Sequence, residues 1–474
     1  MTQPHKRAIV IGGGITGLTA AYRLSTEAKK RKIPLELKIL EAGNRVGGII
    51  HTEHRDGFVI EHGPDAFIST KPWGKALCEE LGIDEHFIGT NSKVRRSFVV
   101  RKNKLVPVPE GFYMMAPGSF LPFIKTPIFS LKGKLRILLD LFISAKENSD
   151  DESVADFVRR RLGIEAFERM AQPMIGGIYT SDAENLSLSA TFPRFLEMEK
   201  EHGSIIRALL NQKKKASQTS KDTSGPRYSL FLSFRDGMQT LVDTLADKLS
   251  EFIQLNTQVE TIRRNDDNSH WEIVLEKNTK LESDLLCIAL PAPRTSQIIR
   301  NFSPTLAEKL NTIPYTSSVT INMAFRREDV THPLNGMGFV VPIKEQLNLI
   351  GCSFSSIKFE NRAPAGNVLL RAFIGENKIQ NRNHEEVVSL VCKNVSDLLG
   401  IQSSPIFTVV SHHNKSMAQY LVGHQTNISD IQDQAKKIKG LTIAGNAYTG
   451  IGIPDCIYSG DQAAQSLLDS FTNS

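Results

Sequence analysis

The sequence predicts an α/β fold assembled around a parallel sheet, and three observations predict it. At the start, Ala8-Ile9-Val10-Ile11 is a short β-branched run suited to a strand buried on both faces. It runs directly into Gly12-Gly13-Gly14-Ile15-Thr16-Gly17, then into helical spacing at Leu18, Ala21 and Leu24, then into a second strand, Leu35–Leu40, that ends in Glu41. At the far end, Leu441-Thr442-Ile443-Ala444-Gly445-Asn446 reads as a strand and small-residue turn, followed by the loop 450–455 and a helix through about Leu468. Between them, Ile253–Val259 and Asp284–Pro291 read as two further strands, with the amphipathic helix Thr240–Leu249 before them. The length, 474 residues, allows about two to four domains.

Strand, glycine turn, helix, strand and acid, in that order, make a Rossmann-like dinucleotide unit. Gly12 permits the tight turn, Gly14 the approach of a pyrophosphate, and Gly17 the packing of helix on strand. Gly13, Ile15 and Thr16 complete the turn, where the free N–H groups of the helix start favour phosphate. Glu41 is placed to accept hydrogen bonds from ribose hydroxyls. In the C-terminal loop, Asp455 is expected at an N-cap, with Ile451, Gly452 and Ile453 leading into the helix.

Composition narrows the remaining classes. The 57 basic and 51 acidic residues leave a net charge of +6, a weak excess compatible with acidic substrates or an anionic membrane surface. The stretch Gln212-Lys213-Lys214-Lys215-Ala216 lacks interleaved aromatics, so no nucleic-acid partner is expected. Five scattered cysteines without CxxC or Cys/His spacing argue against a disulfide scaffold or a metal site. No run reaches the roughly 18 apolar residues of a membrane span, and the N-terminal apolar run stops too early for a secretion signal. A cytoplasmic protein, peripheral at a membrane at most, is the expectation.

The domain plan is discontinuous. Residues 1–70, 228–300 and 440–474 are expected to form the cofactor domain, and 71–90 with 301–439 a substrate domain containing an antiparallel sheet closed by a helix around Glu385–Leu399. Residues 91–227 are expected to form a helical subdomain, with a basic mobile loop near 211–226. In that subdomain Gly111–Pro117, Phe120–Ile124 and Leu135–Ile143 suggest short helices with an apolar face among Lys125, Lys132 and Lys134, lining a bulky pocket or touching a membrane.

The continuation Glu41-Ala42-Gly43-Asn44-Arg45-Val46-Gly47-Gly48 resembles the large flavoprotein oxidase group. More strings, among them Gly63-Pro64-Asp65-Ala66-Phe67 with Lys71, Gln172–Tyr179, Leu186–Pro193, Met417–His424 and Gly450–Ile457, resemble the protoporphyrinogen and coproporphyrinogen III oxidases over nearly the whole chain. In detail they look most like the Gram-positive bacterial branch. His412-His413 stand where that branch often has Arg-Trp, and Ala418 replaces its Pro, which leaves open whether His413 touches the flavin.

The resemblance implies FAD as cofactor. By it, Ala42, Arg45, Gly48 and Ile49 form a second phosphate-side loop, Gly63, Pro64, Asp65 and Ala66 lie along the isoalloxazine, and Val259 meets the adenine with its backbone. It further implies oxidation of a porphyrinogen in haem synthesis by flavin hydride transfer, with O2 as acceptor, H2O2 as by-product and no catalytic side chain. Lys71 is the first choice to meet a propionate, and Ile178 to pack on the macrocycle. Handover of product to a ferrochelatase is a further expected contact. The alternatives are a protoporphyrinogen oxidase, an amine oxidase (for which Ala444–Tyr448 supplies one aromatic, Tyr448, where a pair is needed), a carotenoid desaturase, and a flavin-bearing protein without turnover.

Overall fold

The computed structural model describes residues 6–148, 150–180, 182–219, 229–265, 270–375, 378 and 383–472. Its centre is a five-stranded parallel sheet in the order Ile253–Gln254, β2 (Leu35–Leu40), β1 (Lys6–Ile11), Leu285–Ile288, Leu441–Ile443. Every neighbouring pair is parallel, and Ile11 lies between Leu40 and Ile288. Strands drawn from the start, middle and end of the chain thus share one ladder, and the middle ones are apolar because both faces are covered. Helix α1 (Ile15–Lys30) and the terminal helix Ile453–Thr472 pack together over it, contributing Leu18, Leu24, Ile457 and Leu467 to one buried cluster.

The run read as one strand over Ile253–Val259 is divided. Its first two residues join the parallel sheet, and Val259 opens an antiparallel strand, Val259–Arg264. The break has a local cause: Asn256 is left-handed at φ 52°, and the N–H groups of Asn256 and Thr257 bond the carbonyls of Gly43 and Glu41 instead of continuing the ladder.

A second sheet has seven strands in the order Phe407–Ala418, Tyr315–Arg326, Asn367–Gly375, Gly351–Ser353, Gly338–Val340, Phe98–Arg101, Lys104–Pro107. All its pairs are antiparallel except Gly338–Val340 with Phe98–Arg101. Two of its strands therefore come from residues 98–107, inside the stretch expected to be helical. The helix His384–Leu399, opened by a capping box of Asn383 and Glu386, lays the stripe Val387, Val391, Val395 and Leu399 on this sheet.

The rest of the helical region holds two corrections. Phe112–Tyr113 and Ala116–Pro117 pair as a short antiparallel ribbon, where β-favouring aromatics and flanking Gly and Pro outweigh helical spacing. The stretch expected as a mobile loop is helical as far as Thr219, within Ile205–Thr219, because Ser204 caps the Arg207 N–H and Gln, Lys and Ala favour helix. Residues 220–228 lie outside the described residues. Among the described residues no helix is long and apolar enough to cross a membrane.

Candidate functional site

The site is built where the two ends of the chain meet. At the first end, the Gly12 N–H closes the turn on the Leu40 carbonyl at 2.8 Å, and α1 starts at Ile15 with no side chain capping its N-terminus. Its first-turn N–H groups, at Ile15, Thr16 and Gly17, thus keep their capacity for a phosphate. Gly14 is the open point of the turn, since a Cβ there would meet nothing within 4 Å. Neighbouring Gly13 is packed against Val46 and Glu41.

Glu41 is tied to this turn more closely than its sequence position suggests. Its carboxylate accepts the Gly13 N–H at 2.8 Å and the Gly43 N–H at 2.7 Å. Each oxygen keeps further acceptor capacity, which is what a ribose diol needs. The second loop lies alongside, joined by the Gly47 N–H on the Gly13 carbonyl at 2.8 Å. Arg45 folds this loop by donating to the carbonyls of Val46, Gly48 and Ile50. Burial lowers its pKa and Glu41 opposes that shift. Ala42, Gly48 and Ile49 are exposed around it.

The chain then doubles back. Gly63 crosses Ile49 so closely that a Cβ would collide with the Ile49 carbonyl oxygen. This turn is clamped from the second sheet: the His62 carbonyl accepts from His413 Nε2 at 3.0 Å and from the buried Arg371 at 3.2 Å. Burial, and then the Arg371 charge, hold the His413 imidazole below its usual pKa. Asp65 pairs with Lys358 at 2.8 Å; burial works against its charge, but Lys358, Arg371 and Arg362 outweigh it and its pKa falls. Pro64 and Ala66 are half-buried on either side.

At the other end, the Gly445 N–H donates to Ser459 Oγ at 3.0 Å and the Asn446 carbonyl accepts the Tyr420 hydroxyl at 2.6 Å, fixing the loop that leads through Ile451 and Gly452 to Ile453. The helix begins at Ile453, so Asp455 is inside its first turn and not at the N-cap, Pro454 being well tolerated where no N–H is needed. The start of this helix meets the start of α1, with the Cys456 thiol facing the Thr16 hydroxyl. Helix α2 (Pro72–Leu81) closes the same corner: Trp73 stacks on Tyr458 at 4.3 Å, and Lys71 Nζ reaches both Asp455 oxygens at 2.6 and 2.8 Å.

Hydrogen bonds and close backbone contacts thus link the turn Gly12–Gly17 to Glu41 and to the loop holding Ala42, Arg45, Gly48 and Ile49, and bring Gly63, which opens the turn to Ala66, against the Ile49 carbonyl. Lys71 is tied to Asp455 in the helix that starts at Ile453, after Ile451 and Gly452, and Cys456 of that helix meets Thr16. Val259 opens the strand that follows Asn256 and Thr257, whose N–H groups bond Gly43 and Glu41, and its own carbonyl is taken by Arg294 at 2.7 Å. Ile178 is 45% exposed on the helix Gln172–Tyr179, whose buried Tyr179 lies close enough to Asp455 for that charge to help raise its pKa, after burial itself. A paired cation, Lys71, therefore stands beside the place where the starts of α1 and the terminal helix meet.

Sequence reasoning missed the Lys71–Asp455 pair, the Arg371 clamp and Asn446. One signal was available: an arginine inside the apolar run Val368–Ile374 needs a buried partner. Nothing local marks Asn446, whose neighbours Tyr315, Ser416 and Tyr420 come from other elements.

Comparison with known proteins gives a consistent picture. The family described as "Flavin containing amine oxidoreductase" matches residues 15–468. A coproporphyrinogen III oxidase of Bacillus subtilis is 32% identical over 473 residues, covering 99% of both chains, and one of Staphylococcus aureus is 32% identical, covering 98% of this chain and 99% of its own. Protoporphyrinogen oxidase 2 of Arabidopsis thaliana is 27% identical, over 99% of this chain and 95% of its own. A crystal structure of an Exiguobacterium sp. 255-15 protein superposes with a TM-score of 0.85 at 27% identity over 98% of both chains.

Proposed function

The chain belongs to the flavin-containing amine oxidoreductases, and from that membership we propose that it binds FAD and oxidises coproporphyrinogen III to coproporphyrin III in haem synthesis. The observation that carries the reading is the meeting of the starts of α1 and the terminal helix at Thr16 and Cys456. The open face at Gly14, the uncapped start of α1 and the spare acceptor capacity of Glu41 fit a dinucleotide.

When bound, the flavin supplies hydride acceptance and return of the electron pair to O2 as H2O2, three rounds accounting for the six electrons of aromatisation. The protein's part is positional. The N–H groups of Ile15–Gly17 would hold the phosphates and Glu41 the ribose, while Arg45 holds the loop carrying Gly48 and Ile49. The turn 63–66, fixed by Arg371 and His413, forms one wall of the ring site. The start of the terminal helix would place positive potential beside the bound ring, favouring its anionic reduced form. Ile178 offers an apolar face to a tetrapyrrole, and Lys71 a cation near its carboxylates.

The discontinuous division of the chain stays part of this reading, with residues 98–107 moved to the substrate domain. So do a cytoplasmic location, handover to a ferrochelatase and contact with a membrane surface. The last is favoured by one patch: Leu121, Leu131, Leu135 and Phe142 are 73, 79, 66 and 82% exposed, with Lys125 and Lys132 beside them. Co-sedimentation with anionic vesicles that is lost in Leu135→Glu/Phe142→Glu supports this contact, and unchanged sedimentation removes it.

The deciding experiment purifies the protein, records a flavin spectrum and follows anaerobic bleaching by coproporphyrinogen III, protoporphyrinogen IX and simple amines. Faster bleaching by coproporphyrinogen III is expected. Preference for protoporphyrinogen IX would move the assignment to the activity named for the Arabidopsis relative, and bleaching by amines alone would overturn it.

A further inference from the structure

Lys71 occupies an unfavourable place for a cation. It is the N-cap of α2, where the helix presents positive potential, and its side chain makes no capping bond. What holds it there is Asp455, 384 residues on, whose two oxygens both take the ammonium, at 2.6 and 2.8 Å. The Asp455 side chain is 7% exposed against 43% for Lys71, so the pair has a buried acidic end and an accessible basic end. The loop before the terminal helix is shaped to this carboxylate: a Cβ at Gly450 would collide with Asp455 Cγ, and one at Gly452 would stand 3.1 Å from its Oδ2. Tyr179, Tyr420 and Cys456 sense the Asp455 charge and none of them is cationic. Among the described residues Lys71 is the one cation within ion-pairing distance of it.

We propose that Asp455 is an internal stand-in for a substrate carboxylate: it holds the half-exposed Lys71 ammonium beside the start of the terminal helix, and an acidic side arm of the substrate binds by sharing that ammonium, not by meeting a free cation. The proposal rests on the functional reading above and assigns Asp455 a specificity-determining part in it. Full transfer of Lys71 to the substrate is disfavoured, because it would leave a buried carboxylate without its counter-charge. The resident acid therefore weakens the hold on anionic side arms and eases release of an anionic product.

Two comparisons test it. The first titrates FAD-loaded enzyme with coproporphyrin III and with its tetramethyl ester, following quenching of protein fluorescence. Asp455→Asn is expected to bind the tetra-acid roughly tenfold tighter at low salt, a gain of the size of one charge-assisted hydrogen bond, with the gain shrinking as salt rises and the ester unaffected. The second needs no porphyrin and compares thermal midpoints. Lys71→Gln leaves Asp455 buried without a cation, so it is expected to melt below Lys71→Gln/Asp455→Asn; a surface lysine would show no such recovery.

Wild-type enzyme that binds neither porphyrin overturns the functional reading and this proposal with it. Wild type that binds coproporphyrin, with Asp455→Asn binding it no tighter, overturns the proposal alone. Equal midpoints for Lys71→Gln and the double variant also overturn it, and that comparison decides even if Asp455→Asn fails to retain flavin.

Discussion

His424 should make this fold acid-labile in a way one substitution removes. It opens the helix His424–Lys436, is 7% exposed, and stacks on Tyr420 with ring centroids 4.0 Å apart, its Nε2 lacking a hydrogen-bond partner. Burial pushes its pKa from 6.5 down to about 4, against a bond with the Ala447 backbone and the charge of Asp151, which pull it up. Below pH 6.5 the unfolded chain takes up a proton that the folded chain refuses, so this group destabilises the fold progressively as pH falls toward 4. At pH 4.5 the difference amounts to about 2.5 kcal/mol. With an unfolding entropy of about 1 kcal/mol per kelvin for a chain of this length, that is a midpoint shift of about 2.5 °C. His424→Phe keeps the stack on Tyr420 and removes the titration. Melting both proteins between pH 7.5 and 4.5 should show the variant gaining on the wild type by this amount, mostly below pH 6. Because several domains can melt separately, the measured quantity is the difference between the two proteins at each pH. A constant difference across the range would refute the reasoning.

Other outcomes follow from the proposed cofactor site. Glu41→Ala leaves the Gly13 and Gly43 N–H groups without their acceptor and should weaken FAD retention by about 2 kcal/mol, roughly thirtyfold, read by flavin release in ultrafiltration; unchanged occupancy removes Glu41 from the site. Gly63→Ala forces backbone apart at the Ile49 carbonyl, so a loss of about 1–3 kcal/mol in stability and a fall in flavin content are expected. Arg371→Met removes one of the cations that, after Lys358, raise Asp65 acidity, and it removes the clamp on the His62 carbonyl, so flavin fluorescence should rise as the turn loosens, with the rest of the sheet unaltered by circular dichroism.

Much of the cofactor half was legible because its signals are local. A strand buried on both faces must be apolar, a phosphate turn must be glycine-rich, and the acid must end the next strand, so β1, α1, β2 and Glu41 could be placed from adjacent residues alone. The same holds for the helix His384–Leu399, whose four-residue stripe and capping box lie within one segment. Local rules failed where two of them competed, as at Phe112–Tyr113, where β-propensity prevailed over helical spacing, and at residues 211–219, where helix propensity prevailed over charge.

The sequence by itself determined the dinucleotide unit, the positions of its glycines and the expectation that both ends of the chain serve one cofactor. The tertiary structure alone decided which polar groups find each other. That Lys71 is held by Asp455, that Arg371 clamps the His62 carbonyl, and that Glu41 fixes the glycine turn through the Gly13 N–H follow from packing between segments apart in the chain. The physical reason is range: a propensity or a periodic pattern acts over a few residues, whereas a buried charge takes whichever partner the fold brings within about 3 Å.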